Sequence, residues 1–214
     1  MNIDPPDPRL ETASILIPFS AGVESTAVLN YAVSKYGNKE VVTIATVIHD
    51  EHGIYPEDEV QLYFARQSAL FYGVPLLEIH HHMPIHLKRM PGWGIMVWMP
   101  DCLLTVLANP NIKHVWYGLN QYENSKPGVN PRVALQRRYF FDGLKAFERV
   151  CELEPPLKHL PKWEQYINIP EPVKKWVWTC DFPSKNDKKV YVACGECGKC
   201  KEFEFFVTKP LNHV

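Results

Sequence analysis

The sequence predicts an α/β fold, a doubly wound and mainly parallel sheet, followed by a small cysteine-rich appendage at the C-terminal end. Three observations carry this. Strand-like and helix-like segments alternate from residue 15 to about residue 152. The second strand segment, "EVVTIATVIHD", is apolar along nearly its whole length, as a strand covered on both faces must be. Four of the six cysteines lie from residue 180 onward.

Taken in order, "ILIPFSAGVEST" is a buried strand that runs into small residues and a helix start, and the helix reads "ESTAVLNYAVSKYG". Ala27, Val28, Tyr31, Ala32 and Val33 fall near one face of that helix, and Gly37 is its stop signal. The junction "FSAGVEST" taken alone has two readings. It is a phosphate-cradling loop, in which small residues let backbone N–H groups meet an anion at a helix N-terminus, or it is a plain strand-to-helix turn. After the second strand, "PEDEVQLYFARQSALFYGV" opens on Pro56 with acids in its first turn and closes at Gly73, a well-punctuated helix. "PLLEIHH" is a third strand, "DCLLTVLANP" a short helix, "IKHVWYG" a fourth strand and "PRVALQRRYFFDGLKAFERVCE" a long amphipathic helix. Such an order implies ligands at the carboxyl ends of the strands, where "FSAGVEST" lies. Near residue 154 the texture shifts to proline, tryptophan and lysine, which marks a boundary.

With 214 residues, 46% of them hydrophobic, the chain has material for a sizeable core. A formal charge of −1 lacks the basic excess that nucleic-acid binding leaves, so a small ligand is expected. No apolar run of about 18 residues exists, and "MNIDPPDPRLETAS" has neither a basic nor an apolar leader region. A soluble, cytoplasmic protein is the expectation.

Cys180, Cys194, Cys197 and Cys200 form a C-x13-C-x2-C-x2-C array in which Gly195 and Gly198 let the short loops curl. Four thiolates suit a structural Zn2+ with a closed shell. A four-thiolate iron–sulfur cluster is the rival reading, and disulfides would need an oxidising compartment that no leader segment announces. Cys102 and Cys151 fall in predicted helices as buried thiols. His49 and His52 end the second strand, where they line a pocket or satisfy ordinary polar partners. The run His80, His81, His82 is set aside as a metal site because adjacent strand residues point to opposite faces.

These motifs together resemble a known family. "FSAGVEST" after a strand is similar to the S-G-G-x-D-S-S/T pyrophosphate loop of the ATP-pyrophosphatase (PP-loop) superfamily, whose fold is that of the adenine-nucleotide alpha hydrolases. The four-cysteine tail resembles one branch of it, 7-cyano-7-deazaguanine synthase. Between them, "HDEHGIYPEDEVQLYFARQSALFYGVPLLEI" looks like the family's segment after its second strand, with Glu59 at an acidic helical position. "YGLN" resembles its G-x-N through Gly118 and Asn120, "PPLKHLPKWEQY" its P-L-x-x-x-x-K with Lys162 at the lysine, and "WTC" its W-S-C with Cys180 as first ligand. The resemblance divides the chain into an extension (1–13), a PP-loop nucleotide-binding domain (14–153) and a C-terminal lysine- and zinc-bearing segment (154–214). The chain also departs from the family. Ala21 stands for a glycine, Glu24 for an aspartate, Pro100 is not followed by arginine and asparagine, "PGVNPR" replaces G-Y-P-D-C-R, and Phe203 replaces an arginine.

The resemblance implies an ATP-dependent C–N ligase of queuosine biosynthesis that releases AMP and pyrophosphate. It would convert 7-carboxy-7-deazaguanine and ammonia to 7-cyano-7-deazaguanine through an acyl-adenylate and an amide. It also implies that Lys162 and Glu24 are catalytic, with Glu24 acting through the Mg2+ of ATP. Ser20, Ala21, Gly22, Val23, Glu24, Ser25, Thr26, His49, Gly118 and Asn120 would bind ATP, while His52, Glu59 and Arg132 would face the substrate. The zinc ligands would be the four cysteines. A ligase that stops at the amide or takes another carboxylate is the alternative reading, because the departures cluster on the substrate side. A non-catalytic zinc module for nucleotide or nucleic acid is the third, and a homodimer is left open.

Overall fold

Alternation along the first strand sets the layers of the molecule. In β1 (Ile15–Pro18), Ile15 and Ile17 enter the core on one side of the sheet and Leu16 enters the core on the other. The structure is a computed structural model that describes residues 8–83, 93–121, 130–188 and 190–208. Against the Ile15 side pack α1 (Val23–Tyr36) and α2 (Pro56–Tyr72), which contribute Val28, Ala32, Ala65 and Ala69. Against the Leu16 side pack α3 (Trp93–Ala108) and α4 (Asn130–Ala146), with Met99, Cys102, Val106 and Phe140.

The central strand β2 (Val41–Asp50) pairs in parallel with β1, Ile15 opposite Val41, and with β4 (Leu76–His82), Thr43 opposite Leu76. On the other side of β1 lie β5 (His114–Trp116) and then β6 (Glu152–Glu154), both parallel. A two-residue strand, β3 (Gly53–Ile54), folds back antiparallel on the end of β2. The parallel strands therefore run β4-β2-β1-β5-β6 across the sheet. Chain order reverses between β1 and β5, and the crevice outside their carboxyl ends is where such sheets take ligands.

The expected α/β class and mainly parallel sheet are thus present, with four corrections. The helix read from "DCLLTVLANP" begins at Trp93 and runs through Pro100. An interior proline removes a hydrogen bond at about 3 kcal/mol, which burial of Val97, Met99, Cys102, Leu103 and Val106 offsets. The long helix ends at Ala146 rather than Glu152, because Glu148 adopts a left-handed φ of 52° without glycine or proline to announce the stop. The chain beyond it forms β6, a strand too short for its alternation to show. Cys151 is consequently a buried thiol just before a strand, not in a helix, while Cys102 is buried within α3 as expected.

After β6 come α5 (Lys162–Ile167) and α6 (Glu171–Lys174), and Leu157, Ile169, Val173 and Val177 close the Ile15 side of the core. A hairpin, β7 (Ser184–Lys185) with β8 (Tyr191–Val192), and α7 (Gly198–Thr208) complete the described chain. Among the described residues no helix is long and apolar enough to cross a membrane.

Candidate functional site

Between β1 and α1 the chain turns sharply over Ser20, Ala21 and Gly22. Ala21 has φ of 57°, the left-handed conformation glycine tolerates best, and its carbonyl accepts the Trp178 backbone N–H at 2.8 Å. The alanine costs about 1–2 kcal/mol of local strain relative to glycine, and the complete burial of its methyl group offsets part of that. Gly22 is the N-cap of α1 and supplies no side-chain cap, so the first N–H groups of the helix face the crevice without one. Ser25 Oγ lies 3.3 Å from the Gly22 carbonyl and 3.5 Å from Ser20 Oγ.

Glu24, in the first turn of α1, is held from two directions. Asn120 Nδ2 donates to its Oε1 at 3.1 Å, and Lys162 Nζ approaches the same oxygen at 3.1 Å. Lys162, at the start of α5, also reaches Glu202 on α7 at 2.8 Å. Burial alone would lower the Lys162 pKa, but the two carboxylates outweigh it and hold the ammonium above its ordinary range. Gly118 explains how β5 comes this close. A Cβ there would stand 2.7 Å from Glu24 Cβ and 2.9 Å from the Ser25 nitrogen, so only glycine fits without a shift. "YGLN" thus serves the first turn of α1: Gly118 lets it approach and Asn120 anchors its acid.

These elements wall a cleft of about 970 Å³. Ser20, Gly22, Val23, Glu24, Ser25, Gly118 and Lys162 line it. Ala21, Thr26 and Asn120 support it from behind, Thr26 being fully buried with its hydroxyl lacking a hydrogen-bond partner. The other expected site residues lie elsewhere. Glu59 is exposed and accepts the Tyr191 hydroxyl at 2.6 Å, while its neighbour Asp58 is buried, accepts the Ile48 N–H at 3.2 Å and lines the cleft. His52 is exposed in the turn after β2. His49 stands among His80 and His82, and its pKa is lowered by burial and by those two neighbours. Arg132 belongs to the first turn of α4, and its side chain lies outside the described residues, as does most of "PGVNPR".

Sequence reasoning missed a second cation on the wall. Lys199 Nζ meets Asp181 Oδ1 at 2.5 Å, and both residues line the cleft beside Trp98, Tyr117, Trp178 and Phe182. Each is adjacent to a cysteine of the C-terminal array, a spacing that carries no motif of its own. Trp178 stacks on Phe64 at 5.5 Å, so one face of it is already packed.

The four cysteines are brought together with all Sγ atoms within 4.8 Å of one another. The Cys194 and Cys200 sulfurs are 3.9 Å apart, close to the roughly 3.8 Å edge of a tetrahedron with 2.3 Å Zn–S bonds. Backbone N–H groups turn onto the sulfurs: Cys194 N donates to Cys180 Sγ at 3.2 Å, and Cys197 N to Cys194 Sγ at 3.4 Å. The latter bond is the main reason the Cys194 thiol is lowered to about 7, favouring the thiolate a metal needs. Gly195 takes a φ of 74°, as the tight loop requires, whereas Gly198 simply opens α7. Donor set and spacing are consistent with a zinc site.

The chain matches no protein-family profile and no curated protein. Among solved structures it is similar to the U34-tRNA thiolase NcsA from Methanococcus maripaludis, solved with its 4Fe–4S cluster. That match has a TM-score of 0.51 at 12% identity and covers 74% of this chain. The chain spans 56% of the thiolase's length. A glutamine-dependent NAD+ synthetase from Acinetobacter baumannii, in complex with ADP, matches at a TM-score of 0.30 and 14% identity, over 66% of this chain and 21% of that one. That second likeness is too distant to support a conclusion. The first shows a shared α/β architecture with a mainly parallel sheet, the fold of the adenine-nucleotide hydrolases.

Proposed function

We propose that this protein is an ATP-dependent adenylating enzyme that activates a carboxylate, with 7-carboxy-7-deazaguanine as substrate and ammonia as the incoming nucleophile. The observation that carries the reading is the convergence, at the strand-order switch, of an uncapped helix N-terminus, Ser20, Ser25 and the Lys162 ammonium on one cleft. Such a constellation stabilises the negative charge that builds on a departing pyrophosphate. In the proposed reaction the carboxylate oxygen attacks the α-phosphorus of ATP and pyrophosphate leaves. Ammonia then attacks the acyl carbon, AMP leaves with the bonding pair, and the nitrogen sheds a proton to give the amide. Repeating the activation on the amide oxygen releases a second pyrophosphate; AMP then leaves with the C–O bonding pair and the nitrogen sheds both of its protons, which leaves the nitrile.

Glu24 is the residue that would hold the Mg2+ accompanying ATP, because a bare carboxylate beside pyrophosphate repels it. Lys162 would pass from its two carboxylates to the phosphate oxygens. The zinc would be structural, since four cysteines fill its shell. Trp98 and Tyr117 give the cleft apolar faces suited to a planar heterocycle.

A related ligase that ends at the amide is the second reading. In the family that the sequence resembles, the residue after Pro100 and the residue at 203 are arginines. Here Asp101 is buried, accepts the Thr46 hydroxyl at 2.6 Å and pairs with His81 at 3.0 Å. Phe203 packs edge-on to Tyr166 at 5.4 Å. Both positions are occupied by packing instead of presenting a cation to a substrate. Mass spectrometry of the purified protein with ATP, Mg2+, ammonium and 7-carboxy-7-deazaguanine separates the readings. The proposal expects consumption of the carboxylate. If the amide supplied directly loses the mass of one water, the full nitrile synthase holds. An inert amide beside a consumed carboxylate leaves amide synthesis, and an unchanged carboxylate refutes the assigned substrate.

A further inference from the structure

We propose that His49, His80 and His82 form a second metal site, distinct from the cysteine cluster: a three-imidazole centre for a divalent transition-metal ion such as Zn2+, with one coordination position open. The neighbours in "HHH" do point to opposite faces, but its first and third members share one. His80 and His82, two apart on β4, lie on the same side of the sheet, and the parallel register sets His49 of β2 directly opposite His82. His81, between them, faces the other way and is bound to Asp101. Two histidines at i and i+2 on one strand and a third on the adjacent strand bring three nitrogen donors to one patch of the sheet surface.

The rings are already drawn together around His49. Its Nε2 lies 2.7 Å from His80 Nδ1, and its ring centroid is 4.8 Å from that of His82. Nitrogens turned toward each other in this way share one hydrogen between two lone pairs, whereas a divalent ion uses both. The far side of His80 fits the same role. Its Nε2 faces Glu78 Oε2 at 3.6 Å, and Glu78 is fixed by two hydrogen bonds from Arg66, at 2.7 and 2.6 Å. The approach of His80 to Glu78 is a charge contact and not a hydrogen bond, and a carboxylate on the side of a ligating histidine away from the metal favours the orientation that ligation needs.

Donor chemistry identifies the ion. Three neutral imidazoles suit zinc, copper or nickel rather than magnesium or calcium, and a three-histidine set leaves a zinc ion room for a water or a small anion. Around a shared ion with bonds of about 2.05 Å, the 2.7 Å separation must widen to roughly 3.3 Å. Among the described residues only the four cysteines already stand grouped closely enough to hold an ion, their ligand atoms within 4.8 Å of one another. The histidines therefore close on the ion by side-chain rotation, which the exposure of His80 and His82 permits.

The test uses the full chain with its cysteine cluster filled by zinc, titrated with Co2+. One further equivalent is expected, with visible d–d absorption and no thiolate-to-cobalt charge-transfer band. His80→Ala and His82→Ala should each weaken that binding at least tenfold, and Glu78→Gln by about tenfold. His81→Gln, which alters the opposite face, should leave it unchanged. Imidazole-nitrogen NMR of the unsubstituted protein gives a readout independent of how any variant folds: Zn2+ should move three histidine resonances of the nine in the chain. Absence of a second equivalent, charge-transfer absorption marking thiolate ligation, equal weakening by His81→Gln, or unmoved imidazole resonances would each overturn the site.

Discussion

Glu24 and Gly118 show how single residues set the chemistry of the cleft. Glu24 reaches both Asn120 and Lys162, and Gly118 leaves room for the turn that carries it, since a Cβ there would stand 2.7 Å from Glu24 Cβ. Gly118→Ala should therefore force β5 away from α1 and destabilise the fold by about 1–3 kcal/mol, read from the midpoint of denaturant unfolding. Ser25→Ala removes one hydroxyl from the cleft wall and should lower turnover while hardly moving the melting temperature. Lys162→Ala should lower both, because Glu24 and Glu202 would lose their shared cation, and Lys162→Arg should restore the melting temperature better than turnover. The pH dependence has a definite sign. The Lys162 pKa is raised on folding, so its contribution is complete below the lysine range near 10.4 and disappears as pH rises through the folded-state value. Stability of the wild type should fall more steeply than that of Lys162→Ala in that alkaline window. At this scale the loop, "YGLN" and the cysteines were legible because each is a short local pattern. Asp58, Lys199 and Glu202 were not, since their position on or behind the cleft depends on how distant segments pack.

Elements were legible wherever punctuation was local. Helix α2 starts at a proline and ends at Gly73 in a left-handed cap, both visible as letters. Strand β6 was missed because Glu148 performs the turn that glycine usually performs, and α3 was cut short because proline is a breaker only when packing does not outweigh it. The most consequential element is α7. It begins inside the cysteine cluster at Gly198 and carries Glu202 to Lys162, so one helix links that cluster to the cleft. Zinc content near one per chain is expected in the cysteine cluster, measured by elemental analysis on protein dialysed free of weakly held metal. Cys197→Ser should abolish it and loosen α7, with hydrogen exchange rising across residues 190–208 and nucleotide affinity falling through the loss of Glu202 from its partner. Unchanged exchange in a metal-free Cys197→Ser protein would separate the knot from the cleft.

For the molecule as a whole, a strand order that reverses between β1 and β5 leaves a crevice at one end of the sheet, and the C-terminal segment closes over it through Lys162, Trp178, Asp181 and Lys199. That closure was only partly readable from the sequence. The βα alternation predicted the parallel sheet, but nothing in a linear pattern says that Lys162, far along the chain, lies against Glu24 in the first turn. The closure also puts charges of both signs on one cleft wall, Glu24 and Asp181 beside Lys162 and Lys199. In the proposed reaction the acyl-adenylate forms first, and its formation would be reversible before ammonia arrives. The most direct measurement is exchange of radiolabelled pyrophosphate into ATP, with Mg2+ and 7-carboxy-7-deazaguanine present and ammonia absent. Carboxylate-dependent exchange is expected, diminished by Ser25→Ala and Lys162→Ala. No exchange from folded, zinc-loaded protein, or ATP consumption that yields ADP and phosphate instead of AMP, would contradict it.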